Sequence, residues 1–109
     1  MKPEFKITRS NEFTTLNVAG DLTVQFSDEF KEQLLLFSSE ESDLRLSLAL
    51  VTCMDVSSIQ LVYALKKLAQ LNQRELVIVF PVDSNASELL IKTGLMKMLS
   101  DRPQTMHLN

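Results

Sequence analysis

A chain of 109 residues suits one compact domain and leaves no room for two. Hydrophobic residues at 45% and charged residues at 23% exclude a disordered chain. A net charge of −3, with the basic residues scattered and Lys66-Lys67 the one adjacent pair, argues against a nucleic-acid partner. The single cysteine, Cys53, excludes an internal disulfide, and with the single histidine, His107, it excludes the usual zinc sets.

In chain order, residues 1–5 show no apolar signal stretch. Phe5 and Ile7 alternate with Lys6 and Thr8 as a first strand, and Ser10-Asn11-Glu12 is turn chemistry. Thr14 to Ala19 is rich in β-branched residues and reads as its hairpin partner, closed by Gly20. Ser27 is placed to cap a first helix, with Asp28 and Glu29 in the first turn where the helix dipole favours acids. Phe26, Phe30, Leu34 and Phe37 give that helix its apolar stripe, and the acidic, serine-rich stretch 38–43 reads as a solvated connection.

Leu44, Leu46, Leu48 and Leu50 then recur at period two, the spacing of one sheet face. Ala49, Val51 and Cys53 add apolar residues to the other face, which predicts a strand buried on both sides with Cys53 in the core. A polar elbow follows, Asp55-Val56-Ser57-Ser58, and then a helical stripe of Leu61, Val62, Leu65, Leu68 and Ala69. Free backbone N–H groups and the partial positive charge of a helix start favour an anion at that elbow. Residues 76–80 form a second continuous apolar strand stopped by Pro81. A helix carrying Ala86, Leu89, Leu90 and Ile91 follows, with Asp83, Ser84 or Asn85 as its cap and Thr93-Gly94-Leu95 as its stop. Met96, Met98 and Leu99 suggest one more turn. The longest apolar run, 76–82, falls short of the roughly 20 residues of a membrane helix, so a soluble, cytoplasmic protein without direct membrane insertion is expected.

The order β-β-α-β-α-β-α implies an α/β fold with a mixed, mostly parallel sheet, since two apolar strands joined by a helix make a right-handed parallel crossover. Four to five strands packed with three to four helices are expected, with the core over about 4–100 and a tail from 101.

The segment Cys53-Met54-Asp55-Val56-Ser57-Ser58-Ile59-Gln60-Leu61 resembles the signature of the STAS family, the domain of anti-sigma factor antagonists and sulfate transporters. Gly20-Asp21-Leu22 resembles the Gly-Glu-Leu after that family's second strand, the helix from Ser27 its first helix, and Thr93-Gly94-Leu95 its late Thr-Gly-Leu. The resemblance implies that Ser57 occupies the position phosphorylated by a partner kinase, with Asp55 the aspartate two residues before it. Ser58 stands where the family usually has glycine, and Thr23 where many phosphoregulated members carry aspartate.

Ser57 therefore carries two readings, phosphoacceptor and helix cap, and Ser58 is the second choice for either. Asp55 and Val56 form the switch loop. On a helical wheel Ile59 and Tyr63 fall beside Gln60, Lys66 and Lys67, a candidate partner-binding edge or a surface under a neighbouring loop. No Ser/His/Asp set and no Gly-rich phosphate loop is present, so a non-enzymatic regulatory domain is expected, with no cofactor and no metal. Its partner would be a switch kinase/anti-sigma factor or a chemotaxis-type signalling protein. The alternative is a small cytoplasmic STAS subunit bound to the ATPase of an ABC-type phospholipid transport complex, its elbow never modified.

Overall fold

The computed structural model describes residues 2–81 and 85–93. Strands β1 (Glu4–Arg9) and β2 (Phe13–Leu22) form the expected antiparallel hairpin. Its turn is closed by Ser10, whose N–H donates to the Phe13 carbonyl at 2.8 Å while its hydroxyl accepts the Phe13 N–H at 3.2 Å. After a 3-10 turn over Val24–Phe26, helix α1 (Ser27–Ser38) leads to β3 (Asp43–Met54), helix α2 (Val56–Leu71), β4 (Leu76–Val79) and helix α3 (Asn85–Thr93). The sheet order is β1-β2-β3-β4, with β2, β3 and β4 mutually parallel. Expectation and structure agree on an α/β domain with a mixed sheet.

One face of the sheet carries the core. Leu16, Val18 and Leu22 of β2 and Leu44, Leu46 and Leu48 of β3 meet Phe30, Leu34 and Phe37 of α1, Val62 and Leu65 of α2, and Ala86 and Leu90 of α3. The other face, with Arg45, Ala49, Thr52 and Val77, is exposed among the described residues. Burying so many large aliphatics is the main driving force for this layering.

β3 departs from its simple alternation. Between Asn17 and Ala19 of β2, β3 advances from Ser47 to Leu50, and between Gly20 and Asp21 it advances from Val51 to Cys53. Each shift inserts one extra β3 residue, a bulge that reverses which side chains face the helices. Leu50 consequently lies 72% exposed, while Val51 and then Met54 point inward. The expectation that Leu50 extends the buried face, and that the strand is buried on both sides, is thus corrected. Gly20, at the second shift, takes φ 92°, which a side chain would resist.

Other local expectations are also adjusted. Ser27 is the first helical residue of α1 rather than its cap, because the preceding 3-10 turn runs directly into the helix. Cys53 is half-buried, its Sγ 3.6 Å from Asn85 Oδ1, rather than sunk in the core. Leu68 of the α2 stripe is partly exposed. Ile91 is exposed, since Ala86 and Leu90 already define the face of α3 that meets the sheet. Glu40, in the connection read as solvated, receives two hydrogen bonds from the Arg9 guanidinium at 2.9 and 3.0 Å and ties the β1 end to that loop. The Arg9 guanidinium holds the Glu40 carboxyl below the usual carboxylate range. Asp83, Ser84, Gly94, Leu95, Met96, Met98 and Leu99 lie outside the described residues.

Candidate functional site

β3 delivers the chain to Asp55 at the edge of the helix layer, and α2 begins at the next residue. Asp55 has extended backbone angles and is the cap of α2, its Oδ1 accepting the Ser58 N–H at 3.3 Å. The same oxygen accepts the Ser57 hydroxyl at 2.6 Å. Its other oxygen, Oδ2, accepts the N–H of Val24, thirty-one residues earlier, at 2.6 Å. One carboxylate thus closes the start of α2 and fixes the segment leaving β2.

Ser58 completes this tie. Its hydroxyl donates to the Leu22 carbonyl and also lies 3.2 Å from Asp55 Oδ1. Burial alone would raise the Asp55 carboxyl. The donors outweigh it, Ser57 first, then the Ser58 and Val24 N–H groups and the Ser58 hydroxyl, and they hold the acid below its ordinary range. Nearby, the Thr52 hydroxyl donates to Asp21 Oδ1 at 2.7 Å.

The structure sorts the expected site residues. Asp55 is the cap, so Ser57 is not, and the Ser57 hydroxyl is spent as a donor to that cap at a half-buried position. Val56, between them, is 55% exposed. Ser58 is only 2% exposed, which removes it as an accessible phosphoacceptor. Ile59 is likewise 2% exposed and belongs to the core, contrary to its place on a partner-binding edge. The reason is local: the first turn of α2 is tucked under the end of β2, as the Ser58–Leu22 and Asp55–Val24 bonds show, so that turn is covered from two sides. Tyr63 is half-buried against the core, with Lys67 Nζ 5.3 Å from its ring centroid. Lys66 is half-buried, and Gln60 and Lys67 are exposed. Val56, Gln60, Ala64 and Lys67 therefore make one outward strip of α2.

Two participants escape a reading of the sequence. Val24 is 65% exposed, and its N–H is held by Asp55; Leu22 supplies the carbonyl for Ser58. Gly20-Asp21-Leu22 drew attention to that segment, but backbone partners leave no mark in residue identity. Among the described residues there is no cluster of His, Cys, Asp and Glu suited to a metal ion, and no helix long and apolar enough to cross a membrane.

A hairpin, two parallel crossovers and a helix that starts immediately after an aspartate at a strand end are the layout expected of a STAS domain. A family model described as "Mlab, STAS domain" matches residues 5–100, and the chain belongs to that family. Solved structures agree in fold. An anti-sigma factor antagonist from Mycobacterium paratuberculosis aligns with a TM-score of 0.73 at 12% identity, covering 94% of this chain and 86% of the other. The antisigma-factor antagonist STAS domain from Rhodobacter sphaeroides aligns at 0.60 with 18% identity, covering 71% and 85%. The anti-sigma factor antagonist SpoIIAA in its unphosphorylated form aligns at 0.57 with 10% identity, covering 84% and 98%. A search of curated protein sequences gave no match.

Proposed function

We propose that this domain is a non-enzymatic protein-interaction module that docks its partner through the elbow, in the manner of an anti-sigma factor antagonist. Ser57 is its phosphoacceptor. The observation that carries this reading is the pairing of a half-buried hydroxyl at the helix start with exposed apolar neighbours: Ser57 is flanked by Val56, and Asp55 holds the exposed Val24 close by. Valines left in water beside a hydroxyl suit a partner that covers them. The strip of Gln60 and Lys67 extends the contact along α2. A phosphate on Ser57 adds between one and two negative charges in the middle of that surface and opposes docking by desolvation and repulsion. The partner class is a switch kinase/anti-sigma factor or a chemotaxis-type signalling protein, in the cytoplasm of a bacterium.

A second reading is supported by the description of the matching family, which names Mlab. It makes this domain a small STAS subunit on the ATPase of an ABC-type phospholipid transport complex, with the same elbow as a permanent contact. Affinity capture of the full chain from its source cells, with mass spectrometry of bait and partner, separates the two. A kinase-like partner with phosphate on Ser57 supports the switch. An ABC-type ATPase with bare Ser57 overturns it in favour of the transport subunit. Ser57→Asp is expected to weaken binding at least tenfold under the first reading, and unchanged binding contradicts the charge mechanism.

A further inference from the structure

The Asp55 carboxylate has two ends with different duties. Oδ1 gathers the Ser57 hydroxyl, the Ser58 N–H and the Ser58 hydroxyl, all within the first turn of α2. Oδ2 takes one donor from a remote part of the chain, the Val24 N–H. The 3-10 turn closes on its own backbone, Phe26 N–H donating to the Thr23 carbonyl at 2.9 Å and Ser27 N–H to the Val24 carbonyl. Thr23 supplies no side-chain cap, and the Val24 N–H turns instead to Asp55. The end of β2 just before it is anchored separately, through Leu22 and the buried Ser58 hydroxyl. A short turn over Val24–Phe26 thus links a fixed strand end to α1, with Asp55 as its side-chain clasp.

We propose that Asp55 is a positioning residue that transmits the state of Ser57 to the Val24 segment, so that phosphorylation unclasps part of the docking surface as well as adding charge to it. The proposal rests on Ser57 being the phosphoacceptor. Transfer of a phosphoryl group from a nucleoside triphosphate, bound by the partner kinase, forms an Oγ–P bond. It breaks the β–γ phosphoanhydride, the nucleoside diphosphate departs with the kinase, and the hydroxyl proton leaves to solvent. Asp55 Oδ1 thereby loses its shortest donor and faces an anion at the same position. The phosphate also competes for the N–H groups at the helix start, which favour negative charge. Both carboxylate oxygens are fixed to one carbon, so a rotation that withdraws Oδ1 from the phosphate carries Oδ2 away from the Val24 N–H. Val24, one of the two exposed valines beside the elbow, then loses its fixed place, and a partner that recognises it must order the segment again.

The test uses the full chain without any partner, with phosphoserine installed at position 57, and reads hydrogen exchange at the Val24 N–H. Exchange there is expected to quicken about tenfold or more relative to the unmodified chain, as for the loss of a charge-assisted hydrogen bond. Exchange at the Leu16 and Val18 amides of β2 stays unchanged. Ser57→Ala, which removes the donor without adding charge, is expected to leave Val24 protected. Equal protection of Val24 in the phosphorylated and unmodified chains overturns the coupling, and so does release of Val24 by Ser57→Ala alone. Because no partner is present, such a failure leaves the docking reading standing; that reading fails separately, if partner binding ignores the elbow.

Discussion

The two ends of α2 are closed in opposite ways. At its C-terminal end, Gln73 takes φ 58° and the chain folds back on itself, with Gln73 N–H donating to the Gln70 carbonyl at 3.1 Å and Arg74 N–H to the Ala69 carbonyl at 2.9 Å. That is a Schellman closure, made of neighbouring backbone and indifferent to chemistry elsewhere. At its N-terminal end the closing group is the Asp55 side chain, shared with a serine hydroxyl and with an N–H from another part of the chain. A change at the C-terminal end stays local. A change at the N-terminal end reaches the end of β2 and the turn before α1, and the proposed phosphoacceptor Ser57 lies at that end.

The sharpest way to break this contrast is Asp55→Ala. It removes a helix cap and a charge-assisted bond to Val24 together, and a loss of about 2 kcal/mol is expected from urea unfolding at pH 7. The loss also carries a pH signature. The folded Asp55 carboxyl is held below its unfolded value of about 3.9, so its contribution is present above that pH and disappears as pH falls through the folded value. The gap between Asp55→Ala and the parent chain should therefore narrow as pH falls below the unfolded value toward the lower folded one; a gap constant with pH would deny the carboxylate its role. At the other end, Gln73→Gly relieves the cost of a left-handed residue and is expected to stabilise by up to about 1 kcal/mol. Destabilisation by that substitution would mean that the Gln73 side chain is itself required.

Smaller still is Arg74→Ala, whose guanidinium donates to the Ser38 carbonyl at 3.3 Å and joins the far ends of α1 and α2. A change of about 0.5 kcal/mol is expected in the same unfolding measurement, and one above about 2 would make this end more than a local closure. Ser57→Ala should be nearly silent in stability, within about 0.5 kcal/mol, because Asp55 keeps the Ser58 and Val24 N–H groups. A large effect on melting would recast Ser57 as structural.

Legibility from sequence divides along the same line. The hairpin, the crossovers and the elbow were readable because alternation, helical spacing and Asp-x-Ser-Ser are local signals. The bulges in β3 were not, since an extra residue in a run of apolar ones leaves the pattern looking intact; only the register against β2 exposes Leu50. Ile59 misled for a related reason. A helical wheel assumes one covered face, whereas the first turn of α2 is covered by the sheet and by the end of β2. Of the candidate site, Asp55, Val56 and Ser57 could be named in advance. Val24 could not, because its role is carried by a backbone N–H.

The most direct measurement is the affinity of the captured partner for Val56→Glu, which puts a charge beside Ser57 at an exposed position where folding has little at stake. A loss of tenfold or more with unchanged melting is the predicted result, whereas partner affinity equal to that of the parent chain would contradict docking at the elbow.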